Sequence, residues 1–238
     1  MLISFVVPAH DEAAWLQDCL QAIAIAAQGL DHEVVVVADS CSDVTAFIAQ
    51  SAGAFVVHAH RRQIAASRNT GARWSTGELL CFVDADTRIT AAALHAAVQG
   101  VEEGAGGAGA RLRFDQRSDL LERLLVRIVS RGFSLFGVIP GCFLLCRRET
   151  FDAIGGFDER YYAAEDVLFS RALRRHGGIR IVPHPIVSSE RKLHSHGPRA
   201  HLALLWRLLR FGPKAVLQSR RHLGLWYDGW RARRDRSR

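Results

Sequence analysis

Asp84 and Asp86, two aspartates with one residue between them, are the side chains of this 238-residue sequence best placed to do chemistry. In an extended segment alternate side chains point the same way, so both carboxylates can face one ligand. Hard oxygen donors of this kind suit Mg2+ or Mn2+, which commonly bridge phosphate oxygens. A cation held there would stabilise charge growing on a diphosphate leaving group. The same residues also suit a plainer task, because Asp and the following Thr87 are common caps ahead of a helix. Other acidic groups occupy comparable places: Asp11 and Glu12 follow one apolar run, and Asp39 ends another. Glu165 and Asp166 open a segment of helical composition, where acidic residues favour the helix dipole. A carboxylate near an acceptor hydroxyl can equally take its proton during attack.

What must position these residues is a repeated strand-then-helix pattern. Leu2 to Val7, Glu33 to Ala38, Ala54 to Val57 and Leu79 to Val83 read as buried strands, rich in β-branched residues. Asp11 to Gln28, Asp43 to Ala52, Arg61 to Trp74 and Thr90 to Glu103 read as helices. That order implies an α/β fold, Rossmann-like, with a mostly parallel central sheet flanked by helices. Ligands of such sheets bind outside the carboxyl ends of the strands, where the acidic groups gather. Like charges collected there need a cation or hydrogen-bond donors among them. The glycine-rich stretch Gly104 to Gly109 reads as a break. Past it the expected elements are a strand at Arg111 to Phe114, a helix at Ser118 to Phe136, a strand at Gly141 to Cys146, a helix at Glu165 to His176 and a strand at Ile179 to Val182.

Several classes lose support. No GxGxxG follows the first strand and no GxxxxGK[ST] occurs, which removes the main signals of a dinucleotide fold and of a P-loop nucleotidase. A nucleotidyltransferase would be expected to carry a glycine-rich basic loop after strand one; here that loop is Pro8-Ala9-His10-Asp11-Glu12. The five cysteines are scattered without a CxxC pair, so zinc is poorly supported and a reducing, cytoplasmic setting is expected. The N-terminal apolar run is short and lacks a basic lead, unlike a signal peptide. No apolar run reaches the roughly 20 residues of a membrane span.

In order along the chain, Val6-Val7-Pro8-Ala9-His10-Asp11-Glu12, Val35 to Asp43, Arg68-Asn69-Thr70-Gly71-Ala72, Gly77 to Thr87, Gly155-Gly156-Phe157-Asp158-Glu159 and Glu165-Asp166-Val167-Leu168 resemble a family 2 glycosyltransferase of the GT-A fold. The resemblance covers roughly residues 2 to 190 and does not specify a substrate. It implies a single GT-A domain over 1–198, with a nucleotide-sugar-binding half at 1–103 and an acceptor-side half at 104–198. It implies that Pro8, Ala9, His10 and Glu12 line the nucleotide pocket, that Asp39 meets the base or ribose, and that Arg68 lies near the base or phosphates. Asp84 would help hold the nucleotide, and Asp86 the metal. Asp166 would be the general base, with Glu165 beside it. Asp11 stands where many members have Asn, which alters the hydrogen bonding expected there. Many GT-A enzymes take a late His as an extra metal ligand. His194 and His196 share one face if extended, and they read either as that ligand or as an ordinary exposed loop.

The net charge of +7 is concentrated at one end: Arg199 to Arg238 holds 11 Lys and Arg against 2 acidic residues. This 199–238 segment interleaves its charges with Leu, Trp and Phe, as a basic amphipathic helical tail does. Two readings are open: peripheral contact with an anionic membrane, which would suit a lipid-linked acceptor, or a helix packed on the domain with a solvated basic end. Nucleic acid is not expected, since no recognised module accompanies the charge. The function expected from the resemblance is metal-dependent, inverting transfer, with Asp166 as general base, from a UDP- or GDP-sugar to an acceptor that the sequence does not name. The alternative is a catalytically silent nucleotide-sugar-binding protein of the same fold.

Overall fold

The structure, a computed structural model, describes residues 1–114, 138–189, 206–207 and 210–223. Its first half alternates as the apolar runs predict: β1 (Ile3–Ala9), α1 (Leu16–Ala26), β2 (His32–Asp39), α2 (Thr45–Ser51), β3 (Phe55–Ala59), α3 (Ile64–Trp74) and β4 (Leu79–Val83). A two-residue strand β5 (Thr87–Arg88) and α4 (Ala91–Glu102) follow. The second half contributes β6 (Gly107–Phe114), β7 (Phe143–Arg147), α5 (Arg148–Ile154), α6 (Glu165–Leu173) and β8 (Ile179–Ser188). A short α7 (Pro213–Leu217) and a 3-10 turn at Arg220–Leu223 come last.

The eight described strands form one sheet in the order β3-β2-β1-β4-β7-β6-β8-β5. The block β3-β2-β1-β4 is wholly parallel, so the carboxyl ends of four strands meet at one edge. β7 runs antiparallel to β4, which brings the residues just before Phe143 to that same edge. Alternation along the strands feeds two cores. Phe5 and Val7 join Leu16, Ile23, Leu94 and Val101 on one face, whereas Val6, Leu80 and Phe82 join Phe151, Phe157, Phe169 and Leu173 on the other. Burial on both faces is why these strands read as unbroken apolar runs. Helix α3 lies so close on β1 that a Cβ on Gly71 would sit 2.3 Å from Val6 Cγ1.

The structure differs from the sequence expectations in the second half. The glycine-rich stretch is not a break, because β6 begins within it at Gly107. A Cβ on Gly109 would sit 2.1 Å from Ile139 Cγ2, so glycine there admits a packed neighbour. β8 continues past Val182 through Pro183 and Pro185. The register against β6 jumps between Ala110–Val182 and Arg111–Pro185, and a bulge of this kind accommodates proline in a strand. Helices α1 and α3 start later than composition suggests, their leading residues being spent in strand-end loops. The helix expected at Ser118 to Phe136, and most of the tail, lie outside the described residues. Among the described residues no helix is long and apolar enough to cross a membrane.

Candidate active site

The carboxyl edge of the parallel block is built by loops that bond to one another. Ser42 donates from its backbone N–H and its hydroxyl to Asp11 Oδ1, at 2.5 and 3.1 Å. The Glu12 N–H donates to Thr45 Oγ1 at 2.8 Å, and the Ala13 N–H to Asp43 Oδ2 at 3.2 Å. His10 Nδ1 lies 2.7 Å from the Asp39 carbonyl, which can only accept, so that nitrogen carries the proton. Pro8 and Ala9 end β1 beside Val37 and Ala38 of β2. Residues 8–12 therefore form one wall of the edge, joined to the loop after β2.

Asp39 is 4% exposed and its carboxylate is filled from within. It accepts from the N–H groups of Arg61, Arg62 and Gln63 at 2.8, 2.9 and 3.3 Å, and from the hydroxyls of Ser67 and Ser40 at 2.8 and 3.1 Å. Burial raises the Asp39 carboxyl, but the bonds from Arg62, Ser67, Arg61 and Gln63 more than offset it and hold it below its ordinary value. Its work in the structure is to fasten the β3–α3 loop and the first turn of α3.

Arg68 is the hub. Its guanidinium is buried and lies 2.9 Å from Asp84 Oδ1 and 2.8 Å from Glu165 Oε1. It also donates to the Gly141 carbonyl at 2.8 Å and lies over the Phe157 ring, 5.2 Å from its centroid. Asp166 is held to the same place, because the Gly141 N–H donates to Asp166 Oδ2 at 3.1 Å. One side chain of α3 thus joins the end of β4, the turn before β7 and the start of α6. Burial tends to lower the Arg68 pKa, but Asp84, Glu165 and Asp166 together raise it above the ordinary value. Burial pushes the Glu165 carboxyl up to about 7; Arg68 opposes the rise, while Asp166 and Asp84 add to it. Three carboxylates thus share a single guanidinium, and the excess of negative charge favours a proton or a cation among them.

Asp86 is nearly buried beyond β4, with Ser188 Oγ donating to Oδ1 at 3.3 Å and Ser189 Oγ to Oδ2 at 2.8 Å. β5 sets this up by pairing Thr87 with Ser188. Asp86 thus has carboxylate and hydroxyl oxygen together, which suits a hard divalent cation, while Asp84 Oδ1 is taken by Arg68. His194 and His196 lie outside the described residues. Among the described residues, three metal-capable side chains gather within 4.8 Å at Asp11, Cys41 and Asp43. Burial raises the Cys41 thiol, so it is protonated and poorly suited to a hard ion.

Non-glycine residues with positive φ cluster at this edge. Asp11 (52°), Ser40 (55°) and Arg62 (48°) follow β1, β2 and β3, and Ala164 (63°) immediately precedes Glu165. Such backbone costs on the order of 1 kcal/mol per residue and marks places where the surroundings dictate geometry. Sequence reasoning missed the clamp that leads into α6. Asn69 accepts from the Phe157 N–H at 2.9 Å and donates to the Phe157 carbonyl at 2.8 Å, while Gln63 Nε2 reaches the Tyr161 carbonyl at 3.2 Å. Asn69 stood in the motif beside Arg68, which was the available signal. Ser188 and Ser189 gave none.

The family model of glycosyl transferase family 2 matches residues 4–156, more than half of the chain. Solved structures of the same fold include residues 1–349 of TarS from S. aureus, with a TM-score of 0.63 at 19% identity, covering 98% of this chain and 73% of that one. A mannosyltransferase from Pyrobaculum calidifontis, in complex with GDP-Man and Mn2+, gives 0.65 at 21% identity, covering 91% of this chain and 62% of that one. Glucosyl-3-phosphoglycerate synthase from Mycobacterium tuberculosis, in complex with Mn2+ and UDP-glucose, gives 0.61 at 21% identity over 88% and 77%.

Proposed function

The chain belongs to glycosyl transferase family 2 and is a glycosyltransferase, and we propose that it moves a sugar from a UDP- or GDP-sugar to an acceptor hydroxyl with inversion. The observation that carries this reading is the Arg68 hub, which joins Asp84 at the end of β4 to Glu165 and so to Asp166. A donor site at the strand ends and a base at the start of α6 then share one wall. In this reading residues 1–103 hold the donor and 104–198 receive the acceptor. Pro8, Ala9, His10 and Glu12 line the nucleotide pocket, and Asp39 keeps the loop beside it in shape.

Asp84 and Asp86 would hold Mg2+ or Mn2+, with His194 or His196 as a further ligand. When bound, that cation supplies charge neutralisation to the diphosphate. Asp166 takes the acceptor proton as the hydroxyl attacks. The Gly141 N–H orients its carboxylate, and Glu165 is the neighbour that keeps Arg68 in place. Replacing Asp166 with Asn keeps the shape and removes the base. Transfer is expected to fall at least about a hundredfold, the scale of general-base catalysis, with nucleotide affinity unchanged. Measured kcat and nucleotide Kd for Asp166→Asn test this. Wild-type turnover by the variant would remove Asp166 from the mechanism.

A further inference from the structure

The described part of the C-terminal segment is anchored on the chain that leads into α6. The Tyr162 N–H donates to the Leu217 carbonyl at 2.8 Å, and Val216 and Leu223 pack fully buried against Ala163. Ala163 and Glu165 are separated by one residue, so this docking lies next to the proposed base. The outer side of the segment has a different character. Trp206 is 60% exposed and Phe211 47%, and the two rings meet edge to face at 6.1 Å. Arg210 lies over Phe211 at 5.5 Å, and Lys214 and Arg221 are exposed nearby in the chain. Arg207 is fixed through a 2.9 Å bond to the His222 carbonyl, and Phe211 stacks on His222 at 5.1 Å. From Trp206 to Leu223 the sequence has five basic residues and no acidic one.

We propose that this face docks on an anionic lipid bilayer, with Trp206 and Phe211 entering the interface and Arg210, Lys214 and Arg221 meeting lipid phosphates. The proposal rests on and extends the glycosyl-transfer reading, because the segment that bears this face is anchored at Tyr162 and Ala163, just before the proposed base. Charge complementarity selects an anionic partner. Exposed aromatic rings interleaved with cations select a bilayer over a nucleic acid, since rings of this kind sit at the headgroup level while the cations hold the surface charge. The inner anchor at Val216 and Leu223 leaves the outer residues available without disturbing the fold.

The test is co-sedimentation of the full chain with vesicles of phosphatidylcholine alone and of phosphatidylcholine with phosphatidylserine, at low and high salt. The expected result is binding to the anionic vesicles, weakened by salt. It should fall at least about tenfold in Arg210→Glu/Lys214→Glu, given the attraction typical of each basic residue near such a surface. It should fall also in Trp206→Ala/Phe211→Ala. Equal binding to neutral and anionic vesicles, or wild-type binding by both variants, overturns the proposal. So does tighter binding to a short RNA or DNA duplex that the same variants abolish. Nucleotide affinity measured on the same samples separates a failure of this surface from a failure of the donor reading, because none of these residues lines the donor edge.

Discussion

Arg68 carries one positive charge among three carboxylates, and that imbalance makes specific demands at the residue scale. Arg68→Met removes the cation and leaves Glu165 and Asp84 facing each other unpaired. Breaking a buried pair from one side costs about 3–5 kcal/mol. Chemical denaturation should show a loss of that order, and nucleotide affinity should fall with it. Glu165 gives a pH signature. Its ordinary value is 4.5 and burial lifts it to about 7 in the fold. Between those values the folded chain keeps a proton that the unfolded chain has lost. The stability contributed by Glu165 is therefore full below about pH 4.5 and is lost as pH rises through 7. Glu165→Gln should flatten the decline in unfolding free energy between pH 5 and pH 7.5 by roughly 2 kcal/mol. An unchanged slope would show that Arg68 keeps Glu165 ionised throughout.

At the scale of elements, α3 is the piece on which the site depends, because it carries Arg68, Asn69 and Gly71 within one turn. Gly71→Ala places a Cβ 2.3 Å from Val6 Cγ1 and must lift α3 off β1. Overpacking of this kind costs about 1–3 kcal/mol, and the shift carries Arg68 away from Asp84. The variant should fold with a lower melting temperature and bind nucleotide more weakly than its stability loss alone explains. The first half of the fold was legible because doubly buried parallel strands announce themselves as Val- and Leu-rich runs, as in Val34 to Val37 and Leu79 to Val83. Of β6, Arg111 to Phe114 was legible as strand, but its start was not, because Gly107 and Gly109 serve packing against Leu173 and Ile139, and nothing local distinguishes such glycines from a loop. β8 was cut short in the reading because the bulge that admits Pro183 and Pro185 depends on a partner strand about 70 residues earlier. Of the site, the residue types were legible at Asp84, Asp86, Glu165 and Asp166. The meeting of Asp84, Glu165 and Asp166 around Arg68 was not, because the Arg68–Glu165 contact spans 97 positions of sequence.

Taken as a whole molecule, both halves of the chain meet at the edge of one sheet, through Arg68–Glu165 and Asp86–Ser188, and a ligand at that edge should stabilise both. A nucleotide at about 100 times its Kd adds about 2.7 kcal/mol to the folded state. For a chain of this length that should raise the melting temperature by about 5–10 °C in a single transition. The gain should require a divalent cation and should vanish in Asp86→Ala, whose own melting temperature without nucleotide reports any loss of fold. The most direct measurement of the proposed donor site is calorimetric titration of UDP and GDP into the wild type and Asp86→Ala, with and without Mn2+. Binding of one nucleotide that needs Mn2+ and is lost in the variant is the predicted result. Binding of neither nucleotide under any of these conditions would contradict a nucleotide-sugar donor at the Asp84–Asp86 edge.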